Sequence, residues 1–387
     1  MGKKNIETKI IYVGSDPKAH HGSLSDPIYK NSTLIFNNYK AFLEAKKDKF
    51  NLPYYGRLGN YTTKRFEKII SKLYESEASV VTSSGLSAIT ISLLTFLKRN
   101  DEILVTENCY EPVYNFCSNE LVKFGIKSKY FKNNNICALE KKITQNTKIF
   151  YLESPGSLNY EVEDIGKIVK LAKKRGILTI IDNTWATFLG CNPIKLGIDI
   201  VIESCTKYFS GHSDNFSGII ACSTKNYKKL KQTAVRLGDY VSAESCSSAV
   251  KGLRTLDVRL NKHFQNAKGI FKYLRKKKVV KEIIFPPDIN NKYYKLWKKY
   301  FTNGNGLITF AIEENGEIKN FIDSLNLFKI GFSWGGYESL ILPINQLKPQ
   351  TKYSKNSWYW FRIHVGLESL KDLIEDLEKG FTNYEKK

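Results

Sequence analysis

Glu203-Ser204-Cys205-Thr206-Lys207-Tyr208-Phe209-Ser210-Gly211-His212-Ser213-Asp214 follows the apolar run Ile198-Asp199-Ile200-Val201-Ile202. The run is short and β-branched, as a strand buried in a parallel sheet should be. It gives way to two hydroxyls and an amine, Ser204, Thr206 and Lys207, and then to turn residues from Gly211 to Asp214. Open α/β sheets bind ligands beyond the carboxyl ends of their strands. An amine delivered there is a candidate Schiff-base nucleophile, because desolvation lowers a lysine's pKa. The flanking hydroxyls suit a phosphate. Among 60 lysines and arginines most are solvated surface groups, so the meaning of Lys207 depends on its surroundings.

Upstream, the pattern alternates as strand and helix. Lys148 to Leu152 reads as a strand ending in Glu153-Ser154-Pro155-Gly156, and Asp164 to Lys174 as a helix stopped by Gly176. Ile177 to Ile181 is the next strand, ending in Asp182-Asn183-Thr184-Trp185. A strand-end aspartate is most often a cap or loop residue. Its pairing with a strand-end lysine 25 residues on (207 − 182) sets Asp182 apart. Glu102 to Val105 reads as a further strand, followed by Cys109-Tyr110-Glu111-Pro112, and Gly218 to Cys222 as one more. Apolar residues Phe66, Ile69, Ile70 and Leu73 are at helical spacing. Beyond them, Thr82-Ser83-Ser84-Gly85-Leu86-Ser87-Ala88 opens an apolar helix. That is either an ordinary N-cap or an anion site built from backbone amides and the helix dipole.

Residues 1–58 hold no long periodic segment and read as an arm that packs on something else, ending in Tyr54-Tyr55-Gly56-Arg57. Tyr55 and Arg57 are a surface turn or, functionally, a hydroxyl and a guanidinium suited to a phosphate. Residues 59–251 carry the α/β pattern. After about Gly252 the texture becomes α+β, with a helix over Val258 to Leu274, a Pro286-Pro287 break and a strand at Leu307 to Ile312. A glycine-rich loop follows, Gly331-Phe332-Ser333-Trp334-Gly335-Gly336. In Trp358 to Val365, Trp358, Trp360, Arg362 and His364 share one face of a strand. Arg362, inside so apolar a strand, needs an anion, whether a structural carboxylate or a ligand.

No apolar run is long enough to span a membrane. Lys3 and Lys4 lack the apolar stretch of a secretory signal, and Ile6 stands where a myristoylation motif needs Ser or Thr, so a cytoplasmic protein is expected. Seven scattered cysteines and five histidines form no metal-ligand spacing and no disulfide framework; no metal is expected, and reduced, mostly buried thiols are. The net charge of +22 invites a nucleic-acid reading. The basic residues are spread along the chain, however, which is also rich in Asn, Ile, Tyr and Phe, residues whose codons are AT-rich like those of Lys. Base composition accounts for the charge as well as a polyanion does, and no nucleic-acid partner is expected.

A strand-end Asp and Lys, flanking hydroxyls, a glycine at a helix start, a Tyr and an Arg in an apolar strand are what pyridoxal phosphate chemistry needs. From about Thr8 to Phe381 the chain resembles the Cys/Met-metabolism family of pyridoxal-phosphate (PLP) enzymes, within the fold-type-I, aspartate-aminotransferase-like group. The segments YGRLGN, YEP, ESPGS, IDNTWA, TKY-x-x-GHSD, GLRTL-x-VRL, SWGGYESL and RIHVGLE carry the likeness. The resemblance implies an α/β fold with a mainly parallel central sheet and a smaller C-terminal α+β domain. It implies Lys207 as the Schiff-base lysine, Asp182 on the pyridine nitrogen and Tyr110 stacked on the ring. Gly85 and Leu86 through amides, and Ser204 and Thr206 through hydroxyls, would hold the phosphate. Tyr55 and Arg57 would reach a neighbouring subunit's cofactor in a homotetramer. Arg362 would take the carboxylate of an amino-acid substrate, with Ser333 and Trp334 beside it. Two departures are mild: Leu86 stands where relatives have Met or Ala, and Ser204 where some have Ala. Trp334 replaces the leucine of the family's γ-type members, which implies β-elimination at a cysteine S-conjugate such as L-cystathionine; γ-chemistry is the alternative.

Overall fold

The computed structural model describes residues 4–132, 135–344 and 358–385. Seven strands form the larger sheet: β1 (Ala78–Thr82), β2 (Glu102–Thr106), β3 (Lys127–Phe131), β4 (Thr147–Glu153), β5 (Leu178–Asp182), β6 (Ile200–Ser204) and β7 (Gly218–Cys222). Their order is β1-β7-β6-β5-β4-β2-β3. All pairings are parallel except those of β7, which runs against both β1 and β6. Six strands therefore end on one side.

The strands form because alternate residues bury on opposite faces. Leu104, Phe150, Leu152, Ile181, Val201 and Ile219 pack on one face with Phe66, Ile69 and Ile70 of the helix Tyr61–Tyr74. Val80, Ile103, Val105, Ile149, Ile180, Ile200, Ile202 and Ile220 pack on the other with Ala88, Ile89 and Leu93 of the helix Gly85–Phe96. With both faces covered, the inner strands read as nearly continuous apolar runs.

The smaller sheet runs β10-β11-β12-β9-β8, from β8 (Val280–Ile284), β9 (Leu307–Glu313), β10 (Lys329–Ile330), β11 (Leu340–Pro343) and β12 (Trp358–His364). Phe310, Ile312, Phe361 and Ile363 pack beneath the helices Leu256–Leu274 and Leu370–Glu385, while Trp360 and Ala311 face Leu158. The alternation along β12 thus has the two faces expected from the sequence. The helix Ala243–Arg254 runs through the 251/252 boundary and turns at Thr255 into Leu256–Leu274.

Six of the seven cysteines are buried; Cys137 is exposed. Among the described residues no His/Cys/Asp/Glu cluster with metal-binding geometry is found, and no helix is long and apolar enough to cross a membrane.

Candidate active site

The carboxyl ends of β1, β2, β4, β5 and β6 open onto a cavity of about 300 Å³, at the lower end of the range for small-molecule sites. Four of these strand ends deliver residues singled out from the sequence. Gly85 and Leu86 follow β1, Tyr110 follows β2, Asp182 ends β5, and Ser204, Thr206 and Lys207 follow β6. From the smaller sheet's side, Ser333, Trp334 and Arg362 complete the wall. Tyr55 and Arg57 are not there. They line a separate shallow surface with Lys30, Tyr240 and Glu244, where Arg57 Nη1 donates to the Val235 carbonyl at 3.4 Å.

Lys207 is the best-defined member. Its Nζ donates to Ser333 Oγ at 2.7 Å and lies 5.4 Å from the centre of the Trp334 ring. Burial, reinforced by the Arg362 charge and opposed by Asp182, lowers its pKa to about 8. A usable share of the amine is therefore neutral near physiological pH. The loop bearing Ser333 and Trp334 is shaped to reach it. Ser333 has φ 79°, a left-handed conformation that a serine adopts only when its surroundings fix it. At Gly335 a Cβ would fall 2.8 Å from the Tyr208 amide nitrogen, so only glycine lets the loop lie against the lysine's backbone.

Asp182 is half-buried, and removal from solvent raises its pKa. Its Oδ1 accepts from the Thr184 N–H at 2.9 Å and the Thr184 hydroxyl at 2.5 Å, which fixes the carboxylate's direction. Tyr110 caps the short helix Glu111–Asn115, and its N–H donates to Glu153 Oε2 at 2.6 Å. Burial, with Glu153 and Asp182 nearby, raises its phenol pKa and keeps it protonated.

At the opposite end of the cavity, Ser84 caps the helix Gly85–Phe96 by accepting from the Ser87 N–H at 3.0 Å. A Cβ on Gly85 would stand 2.6 Å from Ser204 Cβ, so its absence brings the helix start against the hydroxyl after β6. A helix N-terminus beside the Ser204 and Thr206 side chains is an arrangement able to hold an anion. Arg362 is 9% exposed; Nη2 donates to the Ser333 carbonyl at 2.8 Å and Nε has no partner. Among the described residues no carboxylate pairs with it, and a cation buried in β12 favours an anionic ligand beside it. These features fit PLP and an amino acid: an anion cradle, a buried amine, a fixed carboxylate and an unpaired guanidinium.

The model for "Cys/Met metabolism PLP-dependent enzyme" matches residues 7–382. The chain belongs to that family. It is a PLP-dependent carbon–sulfur lyase with the fold-type-I architecture. It is 33% identical to the cystathionine beta-lyase MetC of Escherichia coli, over 98% of this chain and 99% of the relative. It is 32% identical to an L-alanine/L-glutamate racemase of Wolbachia pipientis, over 96% and 95%. A crystal structure of cystathionine gamma-lyase from Lactobacillus plantarum superimposes with a TM-score of 0.90 at 28% identity, covering 98% of this chain and 99% of that one.

Several lining residues had no sequence signal of their own, among them Tyr160, Phe216, Phe332 and Leu342. Neither did Glu203, buried behind the cavity. Tyr74 OH and Asn183 Nδ2 donate to its Oε1, and its Oε2 has no partner among the described residues. Burial is the largest of the causes that push its pKa well up. The folded acid thus holds its proton to higher pH than the unfolded one, whose carboxyl ionises near pH 4.3. A raised folded-state pKa means stability is lost as pH rises above the unfolded value. Glu203→Gln keeps an acceptor for Tyr74 and has no proton to lose. It should raise the Tm at pH 7 relative to the parent, with the gain shrinking toward pH 4. Thermal melts at both pH values check this; a gain that does not depend on pH would contradict it.

Proposed function

We propose that the chain is a β-lyase that converts L-cystathionine to homocysteine, pyruvate and ammonia, in the cytoplasm and in service of methionine biosynthesis. The observation that carries the reading is Trp334. Its indole stands 5.4 Å from the lysine amine, at the position where the family resemblance implies leucine for γ-type members. Near full-length similarity to a bacterial cystathionine beta-lyase supports it. The identity of the products from L-cystathionine tests it.

PLP, when bound, supplies an aldehyde for amines and a conjugated ring that accepts electrons from Cα. Lys207, poised by Ser333, would take the Cα proton, a role its pKa of about 8 suits. Asp182, aimed by Thr184, would hold a proton on the ring nitrogen. Tyr110 would lie against the ring. The Gly85 and Leu86 amides, with the Ser204 and Thr206 hydroxyls, would hold the phosphate. Arg362 would clasp the substrate carboxylate, fork to oxygens.

On this reading Tyr55 and Arg57 serve a neighbour's site in a dimer of dimers. The arm leaves Leu24, Ile35 and Tyr39 at 77%, 92% and 74% exposure, more apolar surface than a monomer needs to show. Co-refolding Lys207→Ala and Arg57→Ala chains should then restore about a quarter of wild-type activity. About half of random pairs are hybrids, and each hybrid has one intact site. Activity equal to the sum of the two parents, with hybrids shown to be present, would defeat the shared site.

A further inference from the structure

We propose that Asp239 is a positioning residue for the cofactor's phosphate: its carboxylate ties Ser83 to Ser87 and so fixes the turn that presents the Gly85 and Leu86 amides. The inference rests on the reading of that turn as the phosphate cradle, and it adds a residue from outside the cavity wall.

Four hydrogen bonds reach the carboxylate, all from the start of the helix Gly85–Phe96. The Ser83 N–H donates to Oδ1 at 3.3 Å and to Oδ2 at 3.2 Å. The Ser83 and Ser87 hydroxyls each donate to Oδ1 at 2.6 Å. Ser83 lies one residue past β1, and Ser87 lies in the first helical turn. Asp239 thus joins the strand end to the helix across the cap residue, Ser84.

Ser84, Gly85 and Leu86 line the cavity, whereas Ser83, Ser87 and Asp239 do not. The Ser83 amide is taken by Asp239 and the Ser87 amide by the Ser84 hydroxyl. Gly85 and Leu86 lie between them, and the first amides of a helix have no partner within it. Those two are what the turn offers to an anion.

A separate helix holds Asp239 in place. Thr224–Arg236 buries Leu230 and Ala234 in the core shared with Ala88 and Leu93. Its end is closed by the Leu237 N–H on the Thr233 carbonyl at 2.9 Å, by left-handed Gly238 (φ 75°) and by the Asp239 N–H on the Ala234 carbonyl at 3.0 Å. The carboxylate is therefore aimed by its own backbone. Negative charge at a helix N-terminus is favoured by the dipole, and hydrogen bonds to a charged acceptor are the strong ones. Removing the carboxylate frees both hydroxyls and lets the strand-to-helix turn move.

The test compares the dissociation constants of PLP and of pyridoxal, which has the ring and aldehyde without the phosphate, for the full chain freed of cofactor. Quenching of tryptophan fluorescence reads both, because Trp185 and Trp334 line the cavity. Asp239→Ala should weaken PLP relative to pyridoxal by about 10-fold, the factor that one such bond commonly carries. Asp239→Asn keeps an acceptor at the Oδ1 position and should lose less. In a Ser83→Ala, Ser87→Ala background, Asp239→Ala should cost less than in wild type, since the hydroxyls it acts through are gone. An unchanged PLP-to-pyridoxal ratio in Asp239→Ala overturns the proposal. So does an equal loss of affinity for both, which would make Asp239 a purely structural residue. The cradle reading is judged apart: Ser204→Ala with Thr206→Val should also weaken PLP relative to pyridoxal. No change there would defeat that reading, while the Asp239 variants still decide the proposal.

Discussion

Lys207→Ala is expected to abolish turnover while leaving the fold intact. The amine is buried, hydrogen-bonded only to Ser333 among the contacts described, and packed near Trp334. Its removal takes a costly desolvated group out of the cavity without breaking an ion pair. General acid–base catalysis alone is worth about 10²–10⁴-fold, and the lysine's covalent role adds to that. The purified variant should also lack the visible band of a lysine-bound cofactor. A second readout comes from the wild-type apoenzyme. Only the neutral amine attacks the PLP aldehyde, and the folded pKa is lowered to about 8. The reconstitution rate should therefore climb with pH and level off near pH 8, two units before an ordinary lysine. A rate still climbing at pH 10 would show that Lys207 is not the group attacked.

Arg362→Ala should lower kcat/KM by about 2–5 kcal/mol, or roughly 30- to 5,000-fold, by leaving the substrate carboxylate unpaired. Arg362→Lys should recover only part, because an ammonium keeps the charge and loses the planar fork. The structure adds a condition on stability. With no described carboxylate beside Arg362, and with burial lowering the guanidinium's pKa, substitution removes an uncompensated cation. The ligand-free variant should melt at or above the parent's Tm. A variant that unfolds would instead mark Arg362 as half of a structural ion pair.

The inner strands were legible because a parallel sheet covered on both faces demands unbroken apolar runs, and β2, β4, β5 and β6 have them. The residues at their ends could be read as a site because strand ends converge by geometry. What lay beyond reading follows from the same physics. β3 is an edge strand, KSKYF, whose lysines sit where no second neighbour buries them. β7 is as apolar as its neighbours, and composition carries no strand direction, so its antiparallel course was invisible. The Lys207–Ser333 bond joins residues 126 apart and depends on a left-handed serine. Glu203 with Tyr74 spans 129 residues, and a lone glutamate in an apolar run offers no sign of its partner. Phe216 and Phe332 carry no sign of their place in the sequence; only the fold shows them lining the cavity.

The central claim is β-elimination, and the products of purified holoenzyme with L-cystathionine test it most directly. Cleavage at Cβ–S of the cysteine half releases pyruvate, ammonia and homocysteine, the thiol being identified by mass. The account predicts these products, lost in Lys207→Ala. Release of 2-oxobutyrate and cysteine instead would place the broken bond at Cγ and contradict it.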